Sequence, residues 1–393
     1  MEGFVFPNES PGFVLWGIII VLYPFMTCMI DGCAFVASVP FLFKNKKLKP
    51  ISRLAILWSL SFLPVAFVPL LLDIGNPQRA FHIIMTPRFQ SPMAVFGFIF
   101  SAVAILVILE AYLVVRPDFV RRWEETSGAA RWLFAALSLG VRPVTPESRE
   151  LDRKLIKVLE ILALPAAIVL TGYVGFIFGT VPANPWWSSP IRPLVFLGAA
   201  VTSGFSLVTL VAVLLRPNTI PDETIRSLGK CLLGSLVTTA ALSGLEVLSI
   251  AYPGGTAQHI IAELFGAGGL LYGTYFYGQM LICVGGPLVL LGGALLLGAR
   301  GRTLKLAAAL SGLLGVTHTA ILLWNVVIGG QLVSKSLRGR ILYAPPFGGH
   351  KGILATVFVA LLPIVIFAIL ALLVPLFEKS ENSSSPGAEG AQG

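Results

Sequence analysis

The chain runs to 393 residues, of which 56% are hydrophobic and 12% charged, with a mean hydropathy of +0.86. Such a composition excludes a fold solvated mainly by water, so lipid must solvate most of the chain. The net charge of +9 does not point to nucleic acid, because the cations sit in short loops between apolar runs and report membrane topology instead.

Residues 1–12 carry Glu2 and Glu9 but no Lys or Arg, unlike the basic start of a cleavable signal peptide, so the first apolar run is expected to be a retained helix. Spanning the hydrocarbon takes about twenty apolar residues in a helix, since every backbone polar group must be satisfied internally. Nine such runs follow in chain order, at about 13–41, 54–73, 92–115, 155–180, 193–215, 227–251, 274–298, 304–327 and 353–377. Shorter apolar stretches at about 129–141 and 259–270 read as amphipathic helices at the interface, either of which would raise the count to ten. The expected fold is an all-α polytopic bundle over residues 1–377, built as two packed four-helix bundles plus an extra helix. The tail 378–393 is polar, low in complexity and expected to be disordered.

Loop charge orients the runs. On one side only Arg79, Arg88, Arg192, Lys335, Arg338, Arg340 and Lys351 are basic, and the other side holds the remaining Lys and Arg. Cytoplasmic loops are the basic ones, which places the N-terminus outside the cell membrane and the C-terminus inside. Cys28, Cys33, Cys231 and Cys283 lack the spacing of a zinc or iron–sulphur ligand set and read as packing residues.

An ionisable group within a span costs several kcal/mol, which makes each a functional candidate. Asp73, Tyr173, Glu246, His318 and Asn325 fall toward the outer ends of their runs; Asp31, Glu110 and Glu160 fall in the inner halves. The outer set, with Arg79, could close a pocket around a quinone headgroup, whose carbonyls need hydrogen-bond donors and whose redox chemistry moves two protons. Asp73, Tyr173 and His318 are the candidates for handling those protons, and Asp31, Glu110 and Glu160 for an inward proton path. Plainer roles stand beside these: Glu110 snorkelling toward Arg116, Tyr173 as an interfacial anchor, His318 as a helix–helix hydrogen bond, and Asp73 as a cap or a partner of Arg79. His82, His259 and His350 lie in outer loops or interfacial segments, so no pair of axial ligands exists for an intramembrane haem.

Three outer loops are rich in turn residues: Asp73-Ile74-Gly75-Asn76-Pro77-Gln78-Arg79 with Ser91-Pro92-Met93, Asn184-Pro185-Trp186-Trp187 with its flanks, and Gly329-Gly330-Gln331 with the residues to Ser336. Together with Gly175-Phe176-Ile177-Phe178-Gly179, these segments resemble the NrfD or polysulphide-reductase membrane-subunit family, from about residue 13 to 377. The segments SLGVRPVTPESRELDRK and GYVGFIFGTVPANPWWSS resemble one branch of it, the DsrP-type membrane subunits of sulphite-reduction-associated complexes. The resemblance implies menaquinone or another quinone bound near the outer face, and no haem or iron–sulphur cluster within the chain. It also implies an extracytoplasmic iron–sulphur partner of the four-cluster ferredoxin type, with further redox subunits including a multihaem cytochrome. Many relatives carry a histidine just before the Gly-Phe segment, where this chain has Thr171 and Tyr173. Two rival readings remain at this point: a secondary transporter, for which Gly285-Gly286-Pro287 is a suitable helix break, and a cofactor-free structural anchor.

Overall fold

A computed structural model describes residues 14–42, 45–140, 145–216, 220–334 and 339–377; the expected tail from 378 lies outside the described residues. The principal helices are α1 (Ile18–Leu42), α2 (Lys49–Phe62), α3 (Val68–Asp73), α4 (Pro92–Glu125), α5 (Ala129–Leu137), α6 (Pro146–Gly179), α7 (Arg192–Leu215), α8 (Asp222–Ala251), α9 (Gly255–Phe265), α10 (Gly273–Leu296), α11 (Gly301–Val327) and α12 (Ile353–Leu373). Eight of the described helices are long and apolar enough to cross a membrane.

The run at 54–73, expected as one continuous span, is divided into α2 and α3 by turns over 63–67. Pro64 and Pro69 explain the break, since a proline inside a helix removes a backbone donor and clashes with the preceding turn. The short stretches add no crossing: α5 and α9, at 9 and 11 residues, reach only about 14 and 17 Å against a hydrocarbon layer of about 30 Å. The Gly285-Gly286-Pro287 triplet does not cut α10. Gly285 ends one stretch wound as the wider π-type helix, Gly273–Gly285, and only Gly286 and Pro287 separate it from a second, Leu288–Gly292, so the coil continues past the missing proline donor.

Sequential spans pair into two four-helix groups. The first comprises α1, the α2–α3 pair, α4 and α6; the second comprises α7, α8, α10 and α11. Helices α1 and α7 pack against each other between the groups, and α12 lies outside against α2, α3 and α1. With no hydrophobic drive between helices in lipid, this seam depends on close contact. A Cβ on Gly32 would fall 2.0 Å from the Ala200 carbonyl oxygen, and one on Gly204 would fall 2.1 Å from that of Gly32. Both contacts are with backbone, which cannot turn aside. Gly204→Val is therefore expected to abolish monodisperse protein on size exclusion in detergent. Gly234→Val, at a helical glycine with open space around it, should leave the profile intact.

Ion pairs fasten both faces of the bundle. On the face from which the chain enters α1, Lys351 binds both the carboxylate (2.7 Å) and the carbonyl oxygen (2.9 Å) of Asp73. Arg340 hydrogen-bonds Glu263 and holds its carboxyl below the usual carboxylate range. A lowered pKa means this tie persists at neutral pH and is lost as pH falls through the lowered value. On the opposite face Arg53 pairs with Asp118, and Arg116 grips both oxygens of Asp152 at 3.0 and 3.1 Å.

Candidate functional site

The division of the second span makes room inside the first helix group. Because α3 restarts as a six-residue helix and the chain then loops outward to Ser91, no long helix fills the space between α1 and α4 on this face. A cavity of about 720 Å³ occupies it. Trp16, Ile20 and Tyr23 of α1 and its approach form one wall, Phe67, Leu70 and Leu71 a second, and Met93, Phe96 and Gly97 of α4 a third, with Ile177 and Phe178 of α6 behind. Edge-to-face contacts fix this lining, with Tyr23 and Phe96 at 5.1 Å and Phe67 and Phe100 at 4.4 Å between ring centres.

Polar groups are few and gathered at one end. Asp73, Asn76 and Arg79 line the rim. Asp73 takes its cation from Lys351 rather than from Arg79, the partner its sequence neighbourhood offered. The Arg79 side chain has no ion pair among the described residues and is exposed at the rim. Tyr23 reaches the cavity from α1, and its buried hydroxyl has no hydrogen-bond partner among the described residues. The Tyr173 hydroxyl donates to the Pro92 carbonyl at 3.1 Å, placing it beside the start of α4 and outside the cavity lining. An apolar chamber with a few polar groups at one end is the usual form of a small-molecule site.

The remaining outer candidates belong to the second helix group and do not line this cavity. Glu246 is engaged by Arg192 at 2.8 Å, and Arg192 also donates to the Trp186 carbonyl and lies over that indole at 4.5 Å. Arg192 reads in sequence as a loop charge, but it opens α7 and is fully buried. Asn325 donates to Gln279 at 2.9 Å and accepts from Thr274 at 2.7 Å. His318 is buried in α11 with no hydrogen-bond partner on either ring nitrogen among the described residues. Asp73 and Arg79 thus meet in one place, Tyr173 stands beside it, and Glu246, His318 and Asn325 lie apart.

Two residues missing from the sequence reading matter here. Tyr23 was legible as the first of three polar side chains at helical spacing on α1, Tyr23, Thr27 and Asp31, one face of an otherwise apolar helix. Lys351 gave no such signal, because 278 residues separate it from Asp73. Farther along α1, Asp31 is buried and accepts a hydrogen bond from Thr171 of α6, while its other oxygen has no partner among the described residues. Toward the opposite face, Glu110 and Glu160 line a second cavity of about 500 Å³ together with Lys49, Arg53, Arg149, Asp152 and Arg153. Asp31 therefore lies between two chambers on the α1–α6 seam.

The two loop motifs on the entry face are fasteners. Asn184 donates to the Gly330 carbonyl, Trp186 to that of Asn325 (2.9 Å) and Trp187 to that of Val326 (2.7 Å), while Gln331 exchanges two 3.0 Å hydrogen bonds with the Trp16 backbone. A Cβ on Gly330 would lie 2.0 Å from the Trp187 indole nitrogen, so glycine is required there.

Fold and cavity together define a polytopic helical membrane protein with a largely apolar cavity under one face. The chain belongs to the NrfD family: residues 7–334 match the family described as Polysulphide reductase, NrfD. It is 26% identical over 201 residues to a selenate reductase subunit of Mesobacillus selenatarsenatis, covering 49% of this chain and 46% of the relative. It is 31% identical over 199 residues to a putative dimethyl sulfoxide reductase membrane subunit of Halobacterium salinarum, covering 51% and 43%. A third relative, 24% identical over 198 residues, is the Hdr-like menaquinol oxidoreductase integral membrane subunit of Archaeoglobus fulgidus, covering 50% and 41%. The similarity thus spans less than half the length of each of these relatives.

Proposed function

We propose that the chain is the quinone-reacting membrane subunit of a respiratory oxidoreductase complex, with the 720 Å³ cavity as its quinone site. The observation that carries this reading is the joint presence of Asp73, Arg79 and Tyr23 on an apolar chamber between α1, α3 and α4. Arg79 and the Tyr23 hydroxyl supply donors for the headgroup oxygens, and Asp73 accepts a proton. Oxidation of a quinol releases two protons and two electrons. The electrons leave to an iron–sulphur subunit seated on the face that carries the Asp73–Arg79 loop. The printed name of the Archaeoglobus relative, a menaquinol oxidoreductase subunit, supports menaquinone as the quinone.

The charge distribution supports an orientation in the cell membrane with this face outside and the C-terminus in the cytoplasm. The DsrP-type segments favour a place in sulphur or sulphite metabolism, with a multihaem cytochrome among the other subunits. Extraction in mild detergent tests the assignment: an iron–sulphur polypeptide and a lipid-soluble quinone should leave the membrane with the chain. A chain that leaves with neither would be a scaffold.

Protons follow the α1 face in this account, from Tyr23 past Thr27 to Asp31, and on to the chamber lined by Glu110 and Glu160. Asp31→Asn removes the titrating group while keeping an acceptor for Thr171. Turnover is expected to fall by about tenfold or more with quinol-analogue binding unchanged. Unchanged turnover would exclude this route.

A further inference from the structure

The second cavity, on the face opposite the Asp73 loop, has a chemistry of its own. Lys49 and Arg53 stand one turn apart on α2, and Arg149 and Arg153 one turn apart on α6, all four on its lining. The aspartates of this layer are already taken: Arg53 and Arg121 share Asp118, and Arg116 holds both oxygens of Asp152. Arg149 has no side-chain partner among the described residues. Arg53 is buried, and its Nε donor has no hydrogen bond among the described residues, a costly state unless an acceptor reaches it. Lys49 and Arg153 each already interact within the protein and enter the argument only as charge. The backbone adds to that charge. Helix α2 begins at this wall, with Lys49 and Ser52 of its first turn in the lining and no side chain capping its amides, so the positive end of its dipole lies there. Glu110 and Glu160 lie deeper, about 9 Å before Arg116 along α4 and about 10 Å beyond Arg153 along α6. The cationic layer is therefore the mouth of the cavity and the acidic pair its floor.

This mouth also has an apolar flank. Phe41, the lining residue near the end of the first span, is 42% exposed. Leu155 and Val158 are exposed on either side of Ile156, which lines the cavity from α6. A soluble anion would use only the cations, whereas a phospholipid, with its phosphate and acyl chains side by side, matches both surfaces. We infer that the mouth binds the phosphate of an anionic phospholipid in the leaflet on that side, with Arg149 and Arg53 as hydrogen-bond donors and Lys49 and Arg153 as supporting charge. Two cationic pairs on two helices suit a lipid with two phosphates, diphosphatidylglycerol, better than one with a single phosphate. The inference stands independently of the quinone reading.

The test is lipid titration of the full chain with its co-purifying subunits, delipidated in detergent, with the midpoint of thermal unfolding as the readout. Diphosphatidylglycerol should raise the midpoint in step with its concentration, and phosphatidylcholine and inorganic phosphate should not. Arg149→Gln should weaken the apparent affinity for diphosphatidylglycerol by about tenfold. Lys49→Gln should act in the same direction, which keeps the test open should one variant fail to fold. Arg302→Gln removes an exposed cation at the start of α11, outside the cavity, and should change the affinity by less than about twofold. Equal protection by inorganic phosphate would make this a soluble-anion site, and equal protection by phosphatidylcholine would remove the need for charge. An equal loss in Arg302→Gln would make the attraction a property of the whole face, and full affinity in both Arg149→Gln and Lys49→Gln would place the lipid elsewhere. Any of these four results overturns the inference.

Discussion

Quinol-dependent electron delivery is expected to fall by about two orders of magnitude when Asp73 is replaced by asparagine, with binding of a quinol analogue little changed. General acid–base groups contribute about 10²–10⁴ to a rate through proton transfer alone, and asparagine keeps the size and hydrogen-bonding shape of aspartate but cannot take up a proton. The separation of turnover from binding is the useful readout, because Asp73 also anchors Lys351. Lys351→Met breaks that anchor and leaves the carboxylate, so a purely structural role for Asp73 would make both variants equally impaired. Steady-state turnover of the complex, paired with fluorescence titration of the analogue, distinguishes them. Asp73→Asn with full turnover would remove the proton acceptor from the account.

The second large effect concerns stability. Arg192 and Glu246 form an ion pair with side-chain exposures of 0% and 2%. Removing one partner of a buried pair leaves an uncompensated charge, at a cost of about 3–5 kcal/mol, whereas replacing both with apolar residues of similar volume is often neutral. Arg192→Met alone should lower the midpoint of thermal unfolding in detergent sharply, and Glu246→Leu alone should do the same. The double variant should recover most of the loss. A double variant as unstable as the sum of the two would show that each residue is held by other contacts, of which the Trp186 carbonyl and indole are the visible ones for Arg192.

The fold was largely legible because hydrophobic length is a strong signal. Runs of about twenty apolar residues located all eight described helices long enough to cross, while the ninth run is the broken α2–α3 pair; four-and-four grouping with α12 outside follows the packing seen. The division of the second span was visible only as Pro64 and Pro69 within an apolar run, and hydropathy averages over such breaks. The site was less legible, for a physical reason. Depth along a helix can be counted from sequence, but azimuth across a bundle depends on which helices pack together. Glu246, His318 and Asn325 share a depth range with the Asp73 region yet sit in the other helix group, where Arg192 and Gln279 engage the first and third. Tyr23 was within reach, since its spacing from Thr27 and Asp31 fixes a common face without reference to any other helix. The loop motifs that carry the family likeness turn out to secure the entry face, with Asn184, Trp186 and Trp187 bound to the end of α11 and to Gly330.

The central claim is that a redox-active ring sits between α1, α3 and α4, and photolabelling tests it most directly. An azido-quinone irradiated with the intact complex, followed by peptide mapping, should mark residues within 67–83 and 93–97. Excess unlabelled quinone should suppress the marking. The chief competing location is the tryptophan-lined cavity of about 390 Å³ formed by Trp16, Trp186, Trp187 and Gln331. Labels confined to 184–187 and 329–334, with none in the α3–α4 region, would contradict the assignment.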